Sequence, residues 1–286
     1  HVELAPPTNW NMFNIISNFF TRENTPNSPT PYGTSLFGGN NSAGICTELY
    51  PKMSAYNGTI FDNNGHVRLY TQEVRKAYQS LLDTIADAPP DTLNDSAFQG
   101  LQRLMDGETA MCISFSNNAC YFLDSYANFF QENIGYAPVP GKKPIISGWS
   151  TSINAHSQNK ELAWDFIQWF SGLEIASAFT LMGGAAPMTS LLQKESLVQM
   201  YPWYPMTVEQ YHTGTRREAP TIHGAKQLNP STVEDILASV VYTTLEGNIS
   251  LETALFRAHR QLCQYAEANG YPKNIMPSQA TIHRTH

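Results

Sequence analysis

The sequence predicts an α/β protein. Two observations carry that prediction. Segments with an apolar residue every three to four positions alternate along the chain with short apolar runs bounded by Gly, Pro and Asn. The chain is also 286 residues long and 42% hydrophobic, enough to bury a sizeable core. Only 14% of residues are charged, below the roughly 25% of ordinary soluble domains, and polarity is carried by Asn, Gln, Ser and Thr.

The first element is a helix. Thr8 suits its N-cap, and Met12, Phe13, Ile16, Phe19 and Phe20 fall on one face. Residues 21–44 are rich in Pro, Gly and Asn and form no single regular element, although Tyr32 to Phe37 reads as a strand. A helix follows from about Thr71 to Asp87, with Val74, Ala77, Tyr78, Leu81, Leu82 and Ile85 as its stripe and Pro89-Pro90 as its stop. A shorter helix places Phe98, Leu101, Leu104 and Met105 inward and ends at Gly107. The run TAMCISF, from Thr109, reads as a buried strand. Pro138 and Pro140 keep IGYAPVP extended at an edge or crossing.

Ser150 to Asn154 alternate weakly as a strand. Ser157 is placed to cap a helix whose stripe is Ala163, Phe166, Ile167 and Phe170, and Glu161 suits its positive end. Another helix runs from Glu174 to Met182 and stops at Gly183-Gly184. After MYPWYP, Ser231 and Glu234 read as a capping box for a helix carrying Val233, Ile236, Leu237, Val240 and Val241 inward. The last helix is capped by Ser250, packs Ala254, Leu255, Ala258 and Leu262, and ends at Asn269-Gly270. There is no internal repeat.

Several function classes fall away. Net charge is −7, and no Lys/Arg run stands out, which argues against nucleic acid. No apolar run approaches the ~18 residues of a membrane span. The chain starts at His1, which is read as a processed or truncated product or a sequence without its leader. Cys46, Cys112, Cys120 and Cys263 form no CxxC and read as buried thiols with at most one disulfide. The eight histidines show no HxxxH, so no metal is expected. Asn40, Asn57, Asn94 and Asn248 head Asn-x-Ser/Thr triplets that chance explains in so Asn- and Ser-rich a chain. No nucleophile elbow, P-loop, dinucleotide fingerprint or zincin motif is present, and carboxylates are scattered. No catalytic residue and no cofactor is therefore assigned. Aromatics at 12% together with many amides suit sugars, because rings cover apolar sugar faces and amides both donate and accept.

The order of motifs goes further. FQGLQRLMDGETAMCISF resembles the helix, GE-x-AM and strand of the family-1 extracellular solute-binding proteins of ABC importers, the maltose-binding-protein-like family. KPIISGWSTSINAHSQNKELAWDFIQWF resembles that family's Gly–aromatic turn, Ile-centred strand and following helix. MGGAAP resembles its GG-x-x-P turn, STVEDILASVVYTTLEGNISLETALFRAHRQL its closing helices, and Thr8-Asn9-Trp10 the opening of the helix after its first interdomain crossing. The resemblance covers nearly the whole chain. It implies a periplasmic-binding-protein-like two-lobe fold of class II type with the first lobe incomplete in this chain. Residues 1–142 would form the main part of the second lobe, 143–190 a first-lobe segment, and 191–286 the return to the second lobe.

The resemblance also implies a site and partners. Trp149 would face a ligand between the lobes, or else cover the hinge. Phe115, Ser116 and Asn117 follow the GE-x-AM strand, where the family places ligand contacts. Maltose-binding protein has a stacking Trp near the position of Asn117, and its absence here argues against maltodextrin. Phe37, Gly39 and Asn40 would sit at another cleft edge or in an ordinary loop. Gly184 and Ala185 would offer backbone groups or merely stop a helix, and Gln227 and Asn229 precede the capping-box helix. The implied function is capture of a sugar or oligosaccharide and delivery to an ABC permease, by a protein monomeric at full length. Its place would be periplasmic or extracellular, with a lipid anchor in some forms. The competing readings are a non-sugar solute, a carbohydrate-active enzyme, and a sensor that kept the fold. A cationic ligand would need cleft carboxylates, and Asp124 is the one acidic residue close downstream of 115–117.

Overall fold

A computed structural model of the chain describes residues 4–123, 134–148, 150–215, 219–247 and 249–274. Two short strands, β1 (Tyr32–Ser35) and β2 (Thr109–Cys112), pair in parallel with Tyr32 opposite Thr109 and Ser35 opposite Cys112. A parallel pair needs a crossover. Here it consists of α2 (Ser42–Ala55), α3 (Gln72–Ala86) and α4 (Ala97–Met105).

The helix before the strands, α1 (Trp10–Phe20), lies against β1. Gly33 permits the approach, since a Cβ there would stand 1.8 Å from the Ser17 carbonyl oxygen. On α4, Gly100 plays the same part, with its Cβ position 1.9 Å from the Leu36 carbonyl oxygen.

The main core joins α2 and α3 to α10 (Pro230–Leu245) and α11 (Leu251–Ala268). Ile45, Leu49, Tyr78, Leu81, Leu237 and Leu262 are buried there. Each Leu or Ile so placed contributes about 1.5–3 kcal/mol of apolar transfer. The Tyr78 hydroxyl, buried with its ring, donates to the Leu237 carbonyl at 2.9 Å. A second cluster gathers Leu101, Met105, Ala119 and Phe122 with Ala176, Ala186, Tyr201, Trp203 and Tyr204. The last five lie in and around α6 (Leu173–Leu181), α7 (Thr189–Leu192), α8 (Glu195–Met200) and α9 (Tyr204–Thr213).

Several helix starts differ from the sequence reading. The α1 cap is Asn9, not Thr8, and its side chain accepts from Met12 N–H at 2.9 Å. The Ser231–Glu234 capping box is replaced by Asn229, which accepts from Ser231 N–H at 3.0 Å. The reason is Pro230. Its fixed φ and missing N–H suit the first helical position, so the helix begins one residue before Ser231. Thr71, Ser96 and Ser250 cap α3, α4 and α11.

Two strand readings change. The TAMCISF strand is only Thr109–Cys112, with Thr109 alone fully buried. Residues 150–154 form no strand, because no strand among the described residues lies alongside to bond them. Next in sequence, α5 (Lys160–Phe170) buries none of its residues, with Leu162 70% and Trp169 58% exposed. Among the four cysteines, all free, Cys46 and Cys263 are buried and the other two partly so.

Candidate functional site

Three distant parts of the chain meet beside the C-terminal end of α2. The Gly141 N–H donates to the Thr8 carbonyl at 2.9 Å. Thr215 N–H donates to the Pro144 carbonyl at 2.8 Å, and Ile146 N–H donates to the Thr215 carbonyl at 2.9 Å. This junction is fastened to α2 through side chains. The Ser54 and Thr215 hydroxyls are 2.9 Å apart, and the missing Cβ of Gly141 leaves room for the Ala55 methyl.

A cavity of about 530 Å³ opens at the same place. That is within the roughly 300–1,000 Å³ usual for small-molecule sites. Met53, Phe61, Leu228, Pro230 and Val233 supply apolar wall. Tyr50, Ser54, Asn57, Thr59 and Thr215 supply hydroxyls and an amide, and Lys143 an ammonium. No carboxylate is among the described lining residues. Asn57 holds φ at 61°, a left-handed conformation that Asn tolerates better than most residues. It turns the chain sharply from α2 into the wall residues Gly58 to Phe61.

A second candidate region lies past the C-terminal ends of β1 and β2, the place where ligands bind in open α/β sheets. The Phe37 and Phe115 rings meet edge to face there, with centroids 4.9 Å apart. Phe37 N–H donates to the Glu48 carboxylate at 2.8 Å. Glu48 is buried, and burial raises its carboxyl above the usual range, against the opposing pull of Lys52 and the Phe37 N–H. Burial also pushes the Cys112 thiol up to about 12, helped by the Glu48 charge.

The predicted site residues divide between these regions. Phe37 and Phe115 touch. Asn40 is exposed beside them, its N–H donating to the Asp95 carbonyl at 3.1 Å. Ser116 and Asn117 open a 3₁₀ turn, Ser116–Leu123. Gly184 and Ala185 lie near that turn, because Gly183 packs on Cys120. Both backbone groups of Gly184 are engaged internally: its N–H donates to Phe179 at 3.0 Å and its carbonyl accepts from the Tyr204 hydroxyl at 2.9 Å. Gln227 and Asn229 are exposed at the cavity end, flanking its wall residue Leu228. They stand far from Phe37. The Tyr242 hydroxyl reaches the Gly39 carbonyl at 3.0 Å, and from Asn229 to Tyr242 is about 20 Å of helix. Trp149 and Asp124 lie outside the described residues.

Sequence reasoning missed Ser54, Asn57, Thr215 and Lys143. The Asn57-Gly58 pair was a turn signal. Nothing in the sequence told that the chain near Thr215 returns to it.

The fold is of the two-lobe, periplasmic-binding-protein type, as solved structures of similar fold show. Residues 22–175, more than half of the chain, match the family described as bacterial extracellular solute-binding protein, and the chain belongs to that family. A probable ABC transporter-binding protein from Deinococcus radiodurans is 23% identical over 273 residues, which are 91% of this chain and 62% of that protein. The solute-binding protein of Agrobacterium radiobacter K84, solved with ribitol, is 24% identical with a TM-score of 0.74 over 90% of this chain and 64% of its own. That of Agrobacterium vitis S4, solved with D-mannitol, is 16% identical with a TM-score of 0.77 over 95% and 69%. The chain thus spans about two thirds of the length of these relatives.

Proposed function

We propose that this chain captures a polyhydroxylated solute, a sugar, oligosaccharide or sugar alcohol, for an ABC importer. The cavity beside the chain crossings carries the reading. It offers hydroxyl, amide and ammonium groups on one side and apolar wall on the other, without a carboxylate among the described lining. Sugars and polyols present the matching pattern of hydroxyls over C–H faces. The ribitol and D-mannitol held by the two Agrobacterium proteins support the class.

In this reading residues 1–142 and 191–286 belong to one lobe and 143–190 to the other, and the chain crosses near Thr8 and at 141–146, with Thr215 bonded to the second crossing. Closure about them desolvates the ligand and presents a surface to a membrane permease, in the periplasm or outside the cell. No step needs a catalyst. Phe37, Phe115, Ser116, Asn117 and Asn40 would form the far rim, Gln227 and Asn229 the near one, with Trp149 and Ala185 contributing as the lobes close; Gly184, its backbone groups already engaged, would only shape the turn.

Thermal unfolding of the whole protein with ribitol, D-mannitol and maltose tests this. At a ligand concentration a hundredfold above Kd, stabilisation is about 2.7 kcal/mol. Thr215→Val, which removes one hydroxyl from the wall, weakens the responding ligand about tenfold. No response to any polyhydroxylated solute sinks the proposal.

The lobe assignment has its own test. The exposed apolar face of α5 would belong to a first-lobe interior. Acrylamide then quenches Trp164 and Trp169 freely in the 286-residue chain and poorly in a form with a complete first lobe. Equal quenching in both forms contradicts the assignment.

A further inference from the structure

We propose that Lys52 is a positioning residue that pins the cavity-bearing helix α2 to the crossing at Thr8, and that this pin is released by deprotonation. The crossing and cavity roles are those proposed above.

The geometry comes first. Lys52 is fully buried, and its Nζ has no hydrogen-bond partner. It sits 3.5 Å from the centroid of the Trp10 ring and 5.6 Å from that of Phe13. An ammonium over an indole face is attractive, and more so when water is excluded. Trp10 is the first residue of α1, two residues after Thr8, whose carbonyl binds Gly141. The residues following Lys52, Met53 and Ser54, line the cavity. The Lys52 side chain therefore ties α2, at the position next to its cavity-lining residues, to the start of α1 beside the crossing.

The charge surroundings are sparse. Glu48 lies one turn back on α2 and is the one carboxylate acting on Lys52. From α1 come only the Trp10 and Phe13 rings. Cys112 of β2, which feels the Glu48 charge, has its thiol raised by burial and stays neutral in this range. From the segment 140–142 packed on α2, Lys142 is 62% exposed and pairs with Glu209 at 2.8 Å. Burial lowers the Lys52 ammonium to about 8, against the pull of Glu48. Below that pH the ammonium is seated on Trp10. Above it the amine is neutral, and the cation–ring attraction is gone.

The test follows the Trp10 indole N–H resonance by NMR from pH 7 to 10, assigned by its loss in Trp10→Phe. The expected result is a transition near pH 8 in the wild type that is absent in Glu48→Gln/Lys52→Met. Lys52→Arg, charged throughout, also lacks it and serves if the double variant does not fold. D-mannitol affinity is expected to fall about 3- to 30-fold between pH 7 and 9.5 in the wild type and to stay flat in the double variant. A wild-type resonance without a transition, or the same transition in both variants, overturns the pin. If D-mannitol does not bind while the resonance titrates near pH 8, the ligand class fails and the pin stands.

Discussion

Lys52→Met is expected to lower stability at pH 7 by about 1–3 kcal/mol, because it removes the one positive charge that opposes the desolvation of buried Glu48. The loss does not come from the Lys52 methylenes, which Met largely replaces. It comes from Glu48, left buried without its counter-charge and with its carboxyl already raised by burial. Two signatures separate this from a packing defect. The deficit shrinks as pH falls and Glu48 takes up a proton. Adding Glu48→Gln recovers most of it, because an amide can stay buried uncharged, although the Phe37 N–H then binds a weaker acceptor. Denaturant unfolding of both variants measures this. A single variant as stable as the wild type contradicts this electrostatic coupling.

The wild-type pH dependence has a definite sign. The Lys52 pKa is about 8 folded against 10.5 unfolded. Between those values the unfolded chain holds a proton that the folded chain lacks. Stability from this group therefore rises with pH across that window. The cost of burying the ammonium is fully present below about 8.

Leu237→Ala carries the second large effect, a loss of about 2–5 kcal/mol. Leu237 is wholly buried where α10 meets α2 and α3, and its carbonyl receives the Tyr78 hydroxyl. Truncation leaves a void between helices already tied at fixed points and unable to close on it. Unfolding in urea should show a lower midpoint with unchanged slope. A loss below 1 kcal/mol would mean that this junction is looser than it looks.

The elements legible in sequence were those with one wet face. The stripes of α3, α4, α10 and α11 follow the 3.6-residue period because only one side of each is fully buried. By contrast, α2 was invisible. Every residue from Gly44 to Met53 is buried, so no periodicity marks it, and Pro51 within it reads as a breaker. That one omission hid much of the site. Tyr50, Met53 and Ser54 line the cavity, Glu48 holds Phe37, and Lys52 holds Trp10. Motif order located the chain segments near the strand ends and the start of α10. It had no means of showing that α2 runs between them.

In the same way, the sequence reading gave α5 an inward stripe, and the periodicity is real, yet none of its residues is buried. Amphipathic spacing reports what a helix can cover, not whether its cover lies in the same chain.

The central claim is that the cavity at the crossings is the ligand site. Its most direct test is isothermal titration of the whole protein and of Ser54→Phe with the polyhydroxylated solute that stabilises the wild type most. Ser54 faces the cavity, and a phenyl ring there occupies the ligand's space. The predicted result is a loss of affinity of tenfold or more, with the fold intact by circular dichroism. Unchanged affinity in the filled variant would place the ligand elsewhere and contradict the account.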